Sequence, residues 1–71
     1  MYHYLIVIEK EKYNYSAYAP DLPGCIATGK TREETMINMF AAVEMHIQGL
    51  IEDNLSIPKS HAQAEYIAIP A

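Results

Sequence analysis

Residues Tyr18 to Glu34 read YAPDLPGCIATGKTREE, and the parsing of the whole chain follows from this stretch. Pro20, Pro23 and Gly24 fall within five residues. Proline has a fixed φ and no N–H, so neither a helix nor a central ladder runs through this segment. The run Cys25 to Gly29 is therefore separate from whatever precedes Pro20. Thr31-Arg32-Glu33-Glu34 has the spacing of a capping box. The Thr31 hydroxyl can accept from the amide three residues on, and the Glu34 carboxylate can reach back to an amide at the helix start. Glu33 and Glu34 also sit at the positive end of the helix dipole. Pro20, Asp21, Pro23, Gly24, Cys25, Thr31 and Glu34 thus form the structural motif, with Asp21 expected to close its own turn as Asp often does beside proline.

Upstream, Tyr2 to Ile8 is rich in aromatic and β-branched residues and reads as a strand. Glu9-Lys10-Glu11-Lys12 reads as a hairpin turn without glycine, and Tyr13 to Ala19 as a second strand. Downstream, Cys25 to Gly29 reads as a short third strand. Met36, Phe40, Val43, Ile47 and Leu50 then recur at spacings of 4, 3, 4 and 3, one stripe of an amphipathic helix that ends near Asn54. Leu55 to Ala64 is a loop, and Glu65 to Ile69 alternates as a fourth strand stopped by Pro70. The order is β-β-β-α-β in one domain over residues 1–71. The expected fold is α+β, an antiparallel three-stranded sheet with one long helix on one face and a fourth strand joining the sheet.

With 71 residues the core is small, and the single cysteine, Cys25, rules out an internal disulfide. Association is the natural source of further stability, and a lone cysteine suits a reducing, cytoplasmic setting. Nine Asp and Glu against five Lys and Arg give a net charge of −4. That balance disfavours phosphate backbones and favours a basic protein partner. No segment resembles a signal peptide, and none approaches the ~18 apolar residues that cross a bilayer, so no membrane association is expected.

The first strand is apolar on both faces, whereas one helix covers only one. A two-residue turn at Lys10-Glu11 would pair Ile8 with Tyr13, Ile6 with Tyr15 and Tyr4 with Ala17 beneath the helix. Leu5, Val7 and Tyr18 would then lie on the opposite face beside Asn14 and Ser16. Leu5, Val7 and Tyr18, with the loop residues Asp21 and Leu22, are the protein-interface candidates. A homo-oligomer, either a dimer or a tetramer, is expected to use this outer face. The six tyrosines serve β-propensity, core and interface alike.

No catalytic or metal site is expected. Cys25, His3, His46 and His61 include no pair at close ligand spacing. Asp21, Glu33 and Glu34 have structural explanations, and Cys25 reads as a small buried apolar residue. A metal-dependent nuclease or hydrolase would need several converging carboxylates. That enzyme remains the alternative to a binding role, together with a generic oligomeric interaction module.

The run Tyr18-Ala19-Pro20-Asp21-Leu22-Pro23-Gly24-Cys25, followed by Thr28-x-Lys30-Thr31-x-Glu33-Glu34, resembles the signature of HicB-type antitoxins. The leading tyrosine-bearing strand, the long helix, Ile57-Pro58 and the closing Ile69-Pro70-Ala71 fit the same pattern, so the resemblance covers nearly the whole chain. It implies a partial ribonuclease-H-like fold with the fourth strand beside the first and parallel to it. It also implies neutralisation, by direct binding and without chemistry or cofactor, of a HicA-type toxin. Such a toxin cleaves messenger RNA through a catalytic histidine on a double-stranded-RNA-binding-like fold. Many relatives add a C-terminal operator-binding module; none follows Ala71 here, so direct nucleic-acid binding is not expected. Lys30 stands where relatives commonly have an acid, and Thr35-Met36 where they have Ala-Leu-like helix formers.

Overall fold

Without glycine or asparagine at Lys10-Glu11 the chain does not make a two-residue primed turn, which needs positive φ. Asn54 is the only non-glycine residue with positive φ. In the computed structural model, which describes residues 1–71, the hairpin instead turns through Glu11 to Asn14. The Glu11 N–H donates to the Asn14 carbonyl at 2.8 Å, and the Ser16 hydroxyl donates to Glu11 Oε1 at 3.1 Å. Strand β1 is Val7–Lys10, β2 is Tyr15–Tyr18 and β3 is Ile26–Gly29, antiparallel in the order β1-β2-β3.

The longer turn changes the expected register. Ile8 faces Ala17 rather than Tyr13, Val7 faces Tyr18, and Lys10 faces Tyr15. Glu9 and Lys10 consequently belong to the ladder, and Tyr13 is left exposed in the turn. The shift is an even number of residues, so the faces keep their identity. Tyr4, Ile6 and Ile8 pack toward the core with Ala17, Ala19, Leu22, Cys25 and Met39. Tyr2 to Ile6 precedes the ladder, because β2 ends at Tyr18 and the chain turns away through Pro20.

That turn is held by backbone bonds: Leu22 N–H to the Ala19 carbonyl at 3.0 Å, Cys25 N–H to Leu22 at 3.0 Å, and Ala19 N–H to Cys25 at 3.3 Å. Gly24 takes φ +81, where a side chain would be strained. The folded-over loop drives Leu22 completely inside, at 0% exposure. As a protein-interface candidate Leu22 is therefore corrected: it is core and offers a partner no surface.

Helix α1 spans Arg32–Glu52. Thr31 Oγ1 accepts from the Glu34 N–H at 3.0 Å, while Glu34 Oε1 accepts from the Lys30 N–H at 3.1 Å, so the cap closes one residue earlier than the ideal box. At the other end Asn54 is left-handed, with φ 57. Its N–H donates to Ile51, and the Leu55 N–H donates to Leu50 at 2.9 Å, a Schellman ending.

The helix lies mainly over β3 and β2. Beneath it are small residues, Ala17, Ala27 and Gly29, which let it approach closely. A Cβ built on Gly29 would stand 2.6 Å from Thr35 Oγ1 and 2.7 Å from the Thr35 backbone nitrogen. The buried line of the helix is consequently Thr35 and Met39, flanked by half-buried Ala42, Val43 and Ile47. The expected stripe through Met36 and Phe40 is rotated by one position, and Phe40 is 70% exposed. Gly49 marks no close approach, since a Cβ there would meet nothing within 4 Å.

The fourth strand expected at Glu65 to Ile69 is not formed in the single chain. Residues 63–71 make no ladder, and Tyr66, Ile67 and Ile69 are exposed.

Candidate protein interface

Three features of the surface follow from this packing. The first is the outer face of the sheet. Val7 faces Tyr18 and Tyr18 faces Ile26, so these three side chains form one row across the strands. Leu5, half-buried, continues that face by alternation along the chain. Tyr18 and Ile26 are both exposed. Ile26 was not among the sequence candidates. Its outward direction depends on the β2–β3 register, which composition does not reveal.

The second feature is a cleft of about 200 Å³ between the first strand segment and the flank of the helix. Tyr2, Tyr4 and Ile6 form one wall and Met36, Phe40 and Val43 the other, with Met39 below. The Tyr2 and Tyr4 rings stack at 6.3 Å between centroids and 3° between planes. The cleft exists because α1 rests on β3 and β2 and leaves the β1 side uncovered.

The third feature joins the C-terminal segment to the Pro20–Gly24 loop. Asp21 does not close its own turn. Its Oδ2 accepts from the His61 and Ala62 backbone N–H groups, both at 3.0 Å, across 40 residues or more of sequence. The Ala62 N–H holds the Asp21 carboxyl below its ordinary range. The His61 N–H, the His61 ring charge and Ser60 add to this, against a smaller rise from burial. Nearby, the Tyr4 hydroxyl donates to the Pro58 carbonyl at 2.6 Å. Burial, with Tyr2 and Asp21 close by, pushes the Tyr4 phenol up. Of the interface candidates, then, Leu5, Val7 and Tyr18 share the outer face, Asp21 is committed to the chain's own C-terminal segment, and Leu22 is internal.

Burial also pushes the Cys25 thiol up, the direction opposite to a reactive thiolate. No three His, Cys, Asp or Glu side chains come together in a metal-binding arrangement. No helix is long and apolar enough to cross a membrane.

The domain is α+β, and its exposed apolar side chains include Tyr18 and Ile26 on the outer sheet face, Tyr2 and Phe40 at the cleft, and Tyr66, Ile67 and Ile69 in the C-terminal segment. Residues 4–71 match the HicB-like antitoxin family of bacterial toxin–antitoxin systems, and the chain belongs to that family. It is similar to an uncharacterised 14.9 kDa protein from the rep–hol intergenic region of Haemophilus phage HP1, with 42% identity over 94% of this chain and 50% of the phage protein. It is also similar to UPF0150 proteins of Synechocystis, at 38% identity over 83% of this chain and 76% of the relative, and of Thermoplasma acidophilum, at 36% identity over 84% and 88%. The chain thus spans half the length of the phage relative and most of the other two. No solved structure matches it.

Proposed function

We propose that this chain is the antitoxin of a type II toxin–antitoxin pair and neutralises a HicA-type, messenger-RNA-cleaving toxin by direct binding. The observation that carries this reading is the family match over residues 4–71, which includes both the Pro20–Cys25 loop and the Thr31–Glu34 helix start. The net charge of −4 supports it, because an RNA-cleaving partner must itself attract phosphate and so be basic. The role requires no chemistry from this chain. It acts in the cytoplasm, where such a toxin meets messenger RNA, and it carries no cofactor.

Copies of the chain associate, as a dimer or a pair of dimers, through the outer sheet face. Leu5, Val7, Tyr18 and Ile26 provide the apolar area, and leaving Leu5 and Val7 wet would forgo roughly 1.5–3 kcal/mol each. In the partial ribonuclease-H-like arrangement that the family likeness suggests, a fourth strand lies parallel to β1.

Co-expression tests the antitoxin reading. A culture arrested by a HicA-type toxin from the same genome is expected to resume growth when the chain is supplied; continued arrest with both proteins soluble contradicts it. Sedimentation tests association through the face. Val7→Glu is expected to fall to a lower mass while keeping its circular dichroism, and an unchanged mass contradicts that placement.

A further inference from the structure

In the single chain, backbone groups go unpaired in two places that match each other. The sheet order leaves β1 at an edge, and Tyr2 to Ile6 extends that edge without a ladder partner. Residues 63–71 make no backbone hydrogen bond either. Sequence and side chains match as well. Glu65-Tyr66-Ile67-Ala68-Ile69 carries apolar groups on both sides of an extended chain, and the edge from Tyr4 to Ile8 is apolar on both faces. Tyr66, Ile67 and Ile69 are 98%, 81% and 73% exposed.

The chain's course supplies the direction. Asp21 and Tyr4 fix residues 58–62 at the start of the β1 edge. Tyr66 then borders a depression shared with Ile6, Ile8 and Lys10. The segment therefore runs the same way as β1 but does not enter its ladder. The chain as a whole is extended: the radius of gyration is 14.0 Å, where a compact chain of this length gives about 11 Å, and the long axis reaches 50 Å. An anchored root, a proline in the preceding loop and an exposed, unpaired apolar arm beside an open edge are the geometry of segment exchange.

We propose that residues 63–71 are an exchange arm, which each copy of this chain lays as a parallel strand along the β1 edge of a second copy. The arm's backbone satisfies the β1 edge, and its alternate side chains cover the cleft and extend the outer face. Reciprocity about a two-fold axis gives each copy the strand that neither forms alone, so every contact occurs twice. The occupant is a second copy rather than a basic partner because the arm has one charged residue, Glu65, and its complement is the chain's own apolar edge. The proposal deepens the reading that copies associate and does not depend on the toxin.

The test is site-directed bridging in the free protein. In a Cys25→Ala background, Lys10→Cys on the edge and Ala68→Cys on the arm are exposed positions that leave the core untouched. One chain carrying only Lys10→Cys is mixed with another carrying only Ala68→Cys and treated with a short bismaleimide. The expected result is a bridged pair of chains, and a bridged dimer from the double variant alone. A bridge within one chain, or no bridge, overturns the exchange. Bridging that appears only when a basic RNA-cleaving protein is added also overturns it and gives the arm to that partner. Deleting 63–71 is expected to lower the sedimenting mass of the assembly with its helix signal intact. A deletion that keeps the full wild-type mass overturns exchange while leaving the outer-face contact standing, so the two readings fail separately.

Discussion

Gly29→Ala and Gly49→Ala are the same substitution with opposite expected signs, and the structure determines both. At Gly29 the new Cβ would lie 2.6 Å from Thr35 Oγ1, 2.7 Å from Thr35 N and 3.0 Å from Thr35 Cα. Favourable contacts between heavy atoms begin near 3.5 Å. The first turn of α1 must therefore move by close to an ångström. The moving atoms are backbone, and the Thr35 hydroxyl is tied by a 2.7 Å bond to the Thr31 carbonyl. Overpacking of this kind costs about 1–3 kcal/mol, against a gain of about 0.4–1 kcal/mol from restricting the unfolded chain. Net destabilisation of about 1–2 kcal/mol is expected, a large share for a domain this small. At Gly49 a Cβ meets nothing within 4 Å, so the helix-propensity gain of about 1 kcal/mol stands unopposed. Urea unfolding followed by circular dichroism, at one fixed protein concentration because association contributes to stability, gives both values. Adding Thr35→Ala to Gly29→Ala removes the hydroxyl but not the backbone nitrogen, so rescue is expected to be partial. A Gly29→Ala protein as stable as wild type would refute the close helix–sheet approach, and a destabilised Gly49→Ala would refute the open space at that position.

Two further outcomes follow. Leu22→Ala, at a fully buried position, is expected to cost about 2–5 kcal/mol in the same urea titration; a near-neutral result contradicts its place in the core. The Asp21 clamp is expected to be pH-dependent. Because the folded carboxyl titrates below its ordinary value, the clamp is intact above the usual Asp range and is lost as pH falls through the lowered value. Exchange at the His61 and Ala62 amides, corrected for intrinsic rates, should rise on acidification and should already be high at neutral pH in Asp21→Ala. Protection that is unchanged in both contradicts the clamp.

Elements specified by local chemistry were legible in the sequence. Thr31 and Glu34 announced the helix start through capping, Asn54 marked its end, and Pro20, Pro23 and Gly24 marked the break between β2 and β3. The inward set of Tyr4, Ile6 and Ile8 and the outward Val7 and Tyr18 were legible by alternation alone, and survived a wrong register because the slip was even. Tertiary features were not. The helix stripe missed by one position because its orientation depends on the small residues Ala17, Ala27 and Gly29 beneath it, which carry no amphipathic signal of their own. Leu22 was named with the interface candidates, and its burial follows from the folding-over of its loop, which depends on three backbone bonds. Asp21 was read locally, although its partners, His61 and Ala62, lie across the fold. Glu65 to Ile69 has a strand's alternation, but alternation does not say which edge, or whose, receives it.

The most direct test of the antitoxin account is titration calorimetry of the free protein into a purified HicA-type toxin from the same genome, with RNA cleavage followed in the same mixtures. The account expects a saturable complex, an association rate that falls as salt rises, because the steering charges are screened, and cleavage that disappears at the stoichiometric point. No measurable complex, with cleavage unchanged by excess of this protein, would contradict it.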